Sequence, residues 1–130
     1  MARFDVYANP GSHARTTPYL LDVQSNLLDG LDTRMVIPLR SLKTFPKVKL
    51  SSRLTPVLTI QGEALLLETP KMGAVPKRVL KPPLTSLTQE QNQITAALDF
   101  CFKATDPLIG YPVLHGQRDI SAWMQEPDGV

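Results

Sequence analysis

The 130-residue chain contains little of what disulfide-stabilised folds, metal centres and membrane spans require. It has one cysteine and two histidines, so no intramolecular disulfide is possible, and neither HExxH nor paired CxxC motifs occur. Its longest aliphatic run, near residues 65–67, is far shorter than the roughly 20 apolar residues that cross a bilayer. We expect one small soluble domain in a reducing cytoplasm, with no metal, no cofactor and no membrane contact.

Catalytic signatures are equally scarce. No phosphate-binding glycine loop and no nucleophile elbow surrounds any serine. Cys101 falls on an apolar helical stripe, so it is expected to be a small core residue. His13 and Arg15 in the first loop are candidates for acid-base work with Asp5 or Asp22, although such loop residues are more often merely solvated. The sequence therefore predicts no catalytic residues.

The small net charge of +2 conceals a division along the chain. Residues 1–33 carry two basic and four acidic side chains, residues 34–81 carry ten and two, and residues 82–130 carry two and six. No acidic residue occurs between Thr33 and Gly62, a stretch that includes Arg34, Arg40, Lys43, Lys47, Lys49 and Arg53. This basic block is either a solvated surface or a site for an acidic protein; few aromatics accompany it, so nucleic acid is less favoured.

Periodicity predicts short strands followed by one helix. The segment Arg3–Ala8 alternates, with Phe4, Val6 and Ala8 on one side and Asp5 and Tyr7 on the other, as in a half-buried strand. Gln61 and Gly62 separate two apolar runs and predict a hairpin turn. Further strands are predicted at Tyr19–Ser25, Met35–Leu39, Leu54–Ile60, Glu63–Thr69 and Val75–Leu80, and the 12 prolines favour short edge strands and bends.

The helix is predicted to begin at Thr88, which lies three residues before Gln91 in a capping-box spacing. Apolar residues then recur at helical intervals and form one stripe of Ile94, Ala97, Leu98, Cys101 and Phe102. An ordinary amphipathic helix that closes a β-barrel explains this pattern.

Five segments occur in the order that is found in a known family: FDVYANP, LLDVQSNLLDGLDTRMVIPL, LTPVLTIQGE, ETPKMGAVPKRVL and QNQITAALDFCF. Through them, residues 3 to about 102 resemble the CcdB family of plasmid-addiction toxins. The polar residues in DVQS and in TRMVIPL make this resemblance specific, because strand pairing alone requires only apolar alternation. The resemblance implies a mainly β fold, an SH3-like CcdB/MazF antiparallel barrel with one C-terminal α-helix. It divides the chain into a toxin domain at 1–104 and an extension at 105–130.

The resemblance also implies a function without chemistry. Family members are homodimers that bind the DNA gyrase A subunit, trap the gyrase–DNA cleavage complex and are neutralised by a CcdA antitoxin. Direct nucleic-acid contact is not expected. Transferred to this sequence, the gyrase contacts are Arg3, Phe4, Ser25, Leu27, Asp99 and Lys103, and the dimer interface includes Cys101 and Phe102. The acidic antitoxin would bind Arg40, Lys43 and Lys47.

The end of the helix departs from the family pattern. Family members end there with an aromatic residue, usually tryptophan, then glycine and isoleucine, whereas this chain has Lys103, Ala104 and Thr105 and continues. A lysine cannot offer the π surface on which a target arginine stacks. Weakened gyrase poisoning is therefore expected. The alternatives are a non-toxic homologue that only binds antitoxin and a MazF-like endoribonuclease using His13 or Arg15.

Overall fold

The computed structural model describes residues 2–44 and 51–103, and these residues form a curled antiparallel sheet that packs against one C-terminal helix. The mainly β architecture expected from the sequence is confirmed. Seven strands lie in the described residues: β1 Asp5–Ala8, β2 Tyr19–Asp22, β3 Thr33–Ser41, β4 Val57–Ile60, β5 Glu63–Leu67, β6 Gly73–Pro76 and β7 Thr85–Ser86. The helix α1 spans Gln91–Lys103. The extension at 105–130 lies outside the described residues.

Strand β3 is the centre of the sheet and joins its two halves. The strand order is β4-β5-β3-β2-β1-β7, and β6 also pairs with β3. Along the same edge, β3 pairs with β6 from Thr33 to Val36 and with β5 from Leu39 to Ser41. Pro38 lies in the gap between these partners, where its missing N–H removes no ladder bond, and its carbonyl accepts a hydrogen bond from Glu68 N at 3.0 Å. A proline in a central strand was not predicted.

Apolar residues cover both faces of the sheet, although the alternation of apolar and polar residues in β1 predicted that one face is exposed to solvent. One apolar cluster contains Phe4, Val6 and residues of α1, and a second contains Tyr7, Leu20 and Leu80. Tyr7 is fully buried, so the prediction that it lies on a polar face is wrong. The neighbouring 3₁₀ turn at Lys77–Val79 replaces the second half of the strand predicted at Val75–Leu80. Strand β7, only two residues long, was not predicted.

Helix α1 buries the first part of its predicted stripe. Ile94 and Ala97 are completely buried and Leu98 packs against the same cluster, whereas Phe102 remains 67% exposed. The helix starts with a 3₁₀ turn at Thr88–Glu90, and the Thr88 hydroxyl lies 2.8 Å from Ser86 Oγ, so the predicted capping box does not form. Within the described residues, no helix is long and apolar enough to cross a bilayer.

The predicted hairpin connects β4 and β5 through a two-residue turn. Ile60 pairs with Glu63, and the intervening Gln61 and Gly62 have φ angles of 52° and 83°. Positive φ at both positions is the type I′ geometry that matches the twist of the flanking strands. Gly62 is suited to it because glycine reaches positive φ without steric cost.

We expect Gly62→Ala to lower the free energy of unfolding by about 1 kcal/mol. A Cβ atom at Gly62 would meet nothing within 4 Å, so the cost is one of backbone conformation alone. Gly30→Ala is the matched control, since its Cβ would also meet nothing within 4 Å and its φ is not positive. Urea denaturation of both variants measures the difference, and equal stabilities would contradict this account of the turn.

Candidate interaction site

The loop between β2 and β3 exposes three leucines, and we call residues 25–32 the leucine loop. The exposed fractions of Leu27, Leu28 and Leu31 are 94%, 49% and 50%. Clustered apolar exposure of this kind is typical of a surface that contacts another protein. The leucine loop is therefore the candidate interaction site, and its geometry is set by the polar residues on either side.

Two side chains fix the start of the leucine loop. Ser25 Oγ accepts a hydrogen bond from Leu27 N at 3.1 Å and caps the 3₁₀ turn Asn26–Leu28. Gln24 Nε2 donates to the Leu28 carbonyl at 3.0 Å, and Gln24 Oε1 accepts from Met35 N at 3.1 Å. Gln24 thus connects the loop to β3. With its polar groups satisfied internally, the loop can hold its leucines outward.

A buried ion pair lies beneath the loop. Arg34 Nε donates to Asp22 Oδ2 at 2.7 Å and Arg34 Nη2 to Asp22 Oδ1 at 2.9 Å, and both side chains are 0% exposed. The bidentate geometry is the strongest form of this pairing. Asp22 Oδ1 also accepts from Gln24 N at 2.9 Å. The last residue of β2 and the second residue of β3 are thereby locked together.

Opposing effects act on the ionisation of this pair. Burial raises the pKa of the Asp22 carboxyl, and the hydrogen bonds from Arg34 act against that rise. The hydrogen bonds to Asp22 raise the pKa of Arg34, so the guanidinium stays charged. Burial, assisted by the charge of Asp22, raises the pKa of the nearby Tyr7 to about 12. Tyr7 is consequently neutral at physiological pH.

The far end of the leucine loop is attached to the same arginine. Arg34 Nη1 donates to Asp29 Oδ1 at 3.1 Å, and Lys77 Nζ lies 3.8 Å from that oxygen and also donates to the Asp29 carbonyl. Lys77 N donates to the Asp32 carbonyl at 2.8 Å. Charged contacts from β3 and from the turn after β6 thus hold the second half of the loop, whereas Ser25 and Gln24 hold its start.

The segment before β1 contacts the start of the loop. Arg3 N donates to Asn26 Oδ1 at 2.9 Å and Arg3 Nε to the Val23 carbonyl at 3.3 Å. The Arg3 guanidinium lies over the Phe4 ring, 4.7 Å from its centroid. Four residues predicted to bind gyrase, Arg3, Phe4, Ser25 and Leu27, thus come together. Phe4 is only 5% exposed, so its ring supports Arg3 from the core.

The other predicted contact residues lie on α1. Asp99 is exposed, Phe102 is largely exposed, and Cys101 is half-buried, with burial raising the pKa of its thiol. Lys103 is the last residue of the helix, and its side chain lies outside the described atoms. A raised thiol pKa disfavours the reactive thiolate, consistent with a packing role for Cys101.

The predicted antitoxin site maps to the end of β3. Arg40 is half-buried, Lys43 is exposed, and Lys47 lies outside the described residues. Burial raises the pKa of nearby Glu68, which is 6% exposed, while the charges of Lys71 and Arg40 lower it. Lys71 Nζ lies 3.6 Å from Glu68 Oε2. Part of the positive charge of Arg40 therefore compensates a buried acid.

Within the described residues, the structure brings together no acid-base set around His13 and Arg15. Both lie in the β1–β2 loop, where the His13 carbonyl accepts hydrogen bonds from Thr16 N and Thr17 N, and Arg15 is exposed. Neither forms an ion pair with a carboxylate of the described residues, and Asp22 is bound by Arg34. Across residues 2–44 and 51–103, no group of three His, Cys, Asp or Glu side chains is placed to hold a metal ion.

The sequence analysis missed the importance of Arg34, which it assigned to a basic surface block. The assignment is wrong for this residue, because Arg34 is completely buried. The strand register explains the burial of Arg34. Asp22 pairs with Val36, and Arg34 lies two residues before Val36, so Asp22 and Arg34 lie on the same face of the sheet. Opposite charges at same-face positions of apolar strands indicate a buried pair.

We expect Asp22→Asn to lower the free energy of unfolding by about 3–5 kcal/mol, because the Arg34 charge would lose its buried counterion. Asp29→Asn is the matched control: its side chain is 57% exposed, and a cost below about 1 kcal/mol is expected. Urea denaturation at neutral pH measures both. A similar loss in the two variants would mean that the buried pair does not dominate this region.

We expect Glu68→Gln to flatten the pH dependence of stability above about pH 4.5. The pKa of folded Glu68 is raised above its ordinary value of 4.5. Its contribution is therefore fully present below that value and is lost as pH rises through the folded pKa. The free energy of unfolding of the unchanged chain and of Glu68→Gln is measured by urea denaturation from about pH 4.5 to about pH 8. Because both proteins contain Asp22, the titration of Asp22 cancels in the comparison. Parallel curves would contradict the assignment.

Comparisons with known proteins agree with this geometry. Residues 3–104 match the family model described as CcdB protein. The fold is similar to that of an endoribonuclease in complex with its cognate antitoxin from a Mycobacterial species, with a TM-score of 0.61 and 13% identity over 86% of this chain and 99% of that chain. A likeness at this identity shows a shared fold. Because the family match spans most of the sequence, the chain belongs to the CcdB family.

Proposed function

We propose that the chain is the toxin of a toxin–antitoxin module and acts as a homodimer that binds the DNA gyrase A subunit and traps the gyrase–DNA cleavage complex. Membership of the CcdB family supports this proposal. The observation that carries it is the leucine loop, which presents Leu27 at 94% exposure above a buried ion pair. The proposed toxin acts in the cytoplasm, by binding and not by catalysis.

The anchoring of the leucine loop suits this mechanism. Exposed leucines on an unanchored loop would collapse onto the domain, whereas Ser25, Gln24 and Arg34 hold this loop in place. A surface that is fixed before binding loses less conformational entropy on association. It can therefore favour one conformation of a target, which shifts the target population toward the trapped state.

The antitoxin is proposed to be an acidic protein that binds near the end of β3. Lys43 is exposed there, and Lys47 follows in the sequence. The similar fold is recorded for an endoribonuclease bound to its antitoxin, which supports a partner of this class. Arg40 is the weaker candidate contact, because it is half-buried and its charge acts on Glu68.

The helix end is proposed to lower the potency of the toxin. Asp99 is exposed near that end, and Lys103 occupies the position at which the family usually has tryptophan. An ammonium group facing a target arginine would repel it, and desolvating such a charge without a partner costs several kcal/mol. The leucine loop would then contribute a larger share of the affinity for gyrase.

A gyrase cleavage assay tests the proposal. We expect the purified chain to accumulate cleaved DNA in the presence of gyrase. Leu27→Asp should require roughly tenfold more protein for the same effect, equivalent to about 1.4 kcal/mol, because it places a charge in the contact. Leu27 is 94% exposed, so this change removes no core packing.

Leu84→Asp is the matched control, since Leu84 is 48% exposed and lies outside the leucine loop. If the two variants accumulate cleaved DNA at the same protein concentration, the leucine loop does not contact gyrase as proposed. RNA cleavage in the absence of gyrase would instead indicate that the chain is an endoribonuclease. The similar fold of a known endoribonuclease supports this alternative at the level of fold. If the chain binds an antitoxin but shows neither gyrase-dependent DNA cleavage nor RNA cleavage, it is a non-toxic homologue.

A further inference from the structure

A strained β-turn precedes β1 and lies beside the leucine loop. Asp5 N donates to the Ala2 carbonyl at 3.0 Å, so Phe4 occupies the third position of this turn, and its φ angle is 74°. Glycine is favoured at such a position, because a bulky side chain at positive φ is sterically strained. Strained backbone is concentrated at functional sites, so the Phe4 ring is expected to have a role that glycine could not provide.

The surrounding structure holds Phe4 in this conformation. Phe4 N donates to the Asp22 carbonyl at 2.6 Å, and the Phe4 carbonyl accepts from Leu87 N at 2.8 Å. The ring is 5% exposed and belongs to the same apolar cluster as Val6. The ring therefore has a fixed position at the edge of the core.

The Arg3 side chain is held on this ring by contacts of its own. Its guanidinium lies 4.7 Å from the centroid of the Phe4 ring, and Arg3 Nε donates to the Val23 carbonyl at 3.3 Å. Arg3 N donates to Asn26 Oδ1 at 2.9 Å, and Asn26 directly precedes Leu27. In the described part of the chain, Arg3 Nη1 and Nη2 form no hydrogen bond and no ion pair. A half-buried guanidinium therefore presents two open NH₂ groups beside the leucine loop.

The chemistry of these two groups indicates what they recognise. A guanidinium binds a carboxylate through two parallel N–H···O bonds, and stacking on a ring orients its plane for that contact. A partner that covers the leucine loop would remove Arg3 from water, and a cation that loses water without gaining an acceptor opposes binding. The site therefore favours a partner with a carboxylate at this position over a purely apolar surface.

Acidic residues near the guanidinium disfavour a polyanion as its ligand. Asp5 lies in the same turn, with its Oδ2 accepting from Ala2 N at 3.0 Å, and Asp32 is exposed in the leucine loop. These acids would repel the closely spaced phosphates of a nucleic acid. A single carboxylate on a protein surface can instead meet Arg3 alone.

We propose that Arg3 is a specificity-determining residue that binds an aspartate or glutamate of the partner covering the leucine loop. Phe4 is the positioning residue that orients the Arg3 guanidinium. The partner is the gyrase A subunit, so this inference rests on the proposed function. It adds the chemical group that the target must present beside Leu27.

Binding of the purified gyrase A subunit to the purified chain tests the role of Arg3. Arg3→Gln, which removes the charge, should weaken binding about tenfold, and Arg3→Lys, which lacks the planar group, should restore it only in part. Labelling of gyrase carboxyl groups with a carbodiimide and glycine ethyl ester, read by mass spectrometry, should find one that the unchanged chain protects. Converting that carboxyl group to its amide by mutation should weaken binding of the unchanged chain about tenfold and leave binding of Arg3→Gln unchanged.

A double-mutant cycle tests the positioning role of Phe4. Phe4→Leu keeps an apolar side chain in the core and removes the π surface, so it should weaken binding in the unchanged chain and have no further effect in Arg3→Gln. Equal effects in the two backgrounds would overturn the positioning role, because a purely structural residue acts independently of Arg3. Urea denaturation checks that each variant is folded, and Phe4→Met is the second variant if Phe4→Leu fails to fold.

Arg15→Gln is the matched control, because it removes the same charge from an exposed arginine in the β1–β2 loop, at the opposite end of β2 from the leucine loop. It should bind gyrase A like the unchanged chain. Equal binding by Arg3→Gln and Arg15→Gln, or full binding by Arg3→Lys, would overturn this inference alone. A loss in Arg3→Gln that requires DNA would also overturn it, since it would place Arg3 against a phosphate. If the unchanged chain does not bind gyrase A, the proposed function fails and this inference fails with it.

Discussion

The buried pair of Asp22 and Arg34 is the interaction on which the exposed surface depends. Removing two charges from water is costly, and this cost is offset only when geometry and hydrogen bonding are good. Here the guanidinium also donates to Asp29 Oδ1 at 3.1 Å and to the Gln24 carbonyl at 3.4 Å. The pair therefore connects the end of β2, the start of β3 and both sides of the leucine loop. Its role is conformational as much as energetic.

The buried pair and its hydrogen bonds explain how a small domain can keep three leucines exposed in one loop. Leu27 could gain about 2 kcal/mol by burial against apolar surface, so a mobile loop would tend to collapse. The loop keeps its polar groups satisfied by Ser25 and Gln24, and Lys77 holds its far end. A fixed apolar surface is what a protein that acts by binding requires.

Local signals in the sequence predicted much of the fold, and long-range pairings explain what was missed. Gln61 and Gly62 gave the hairpin, because turn chemistry is local. Helical spacing gave the buried Ile94 and Ala97. Tyr7 was misplaced because alternation does not reveal whether a second layer covers the outer face. At the candidate site, the resemblance named Arg3, Ser25 and Leu27, and the structure places them close to one another. The burial of Arg34 was missed, because a count of charges along the sequence does not show which of them face the core.

The basic block illustrates why such counts mislead. Among the described cations of residues 34–81, Arg34 is neutralised in the core and Arg40 is half-buried near Glu68, while Lys71 and Lys77 lie within 4 Å of acids. Within residues 34–81, the exposed cations that form no ion pair in the described part of the chain are Lys43, Arg53, Arg78 and Lys81. They are separated along the sheet edges, turns and helix end. An acidic partner would therefore meet several small basic sites, each of which a short acidic segment can occupy alone.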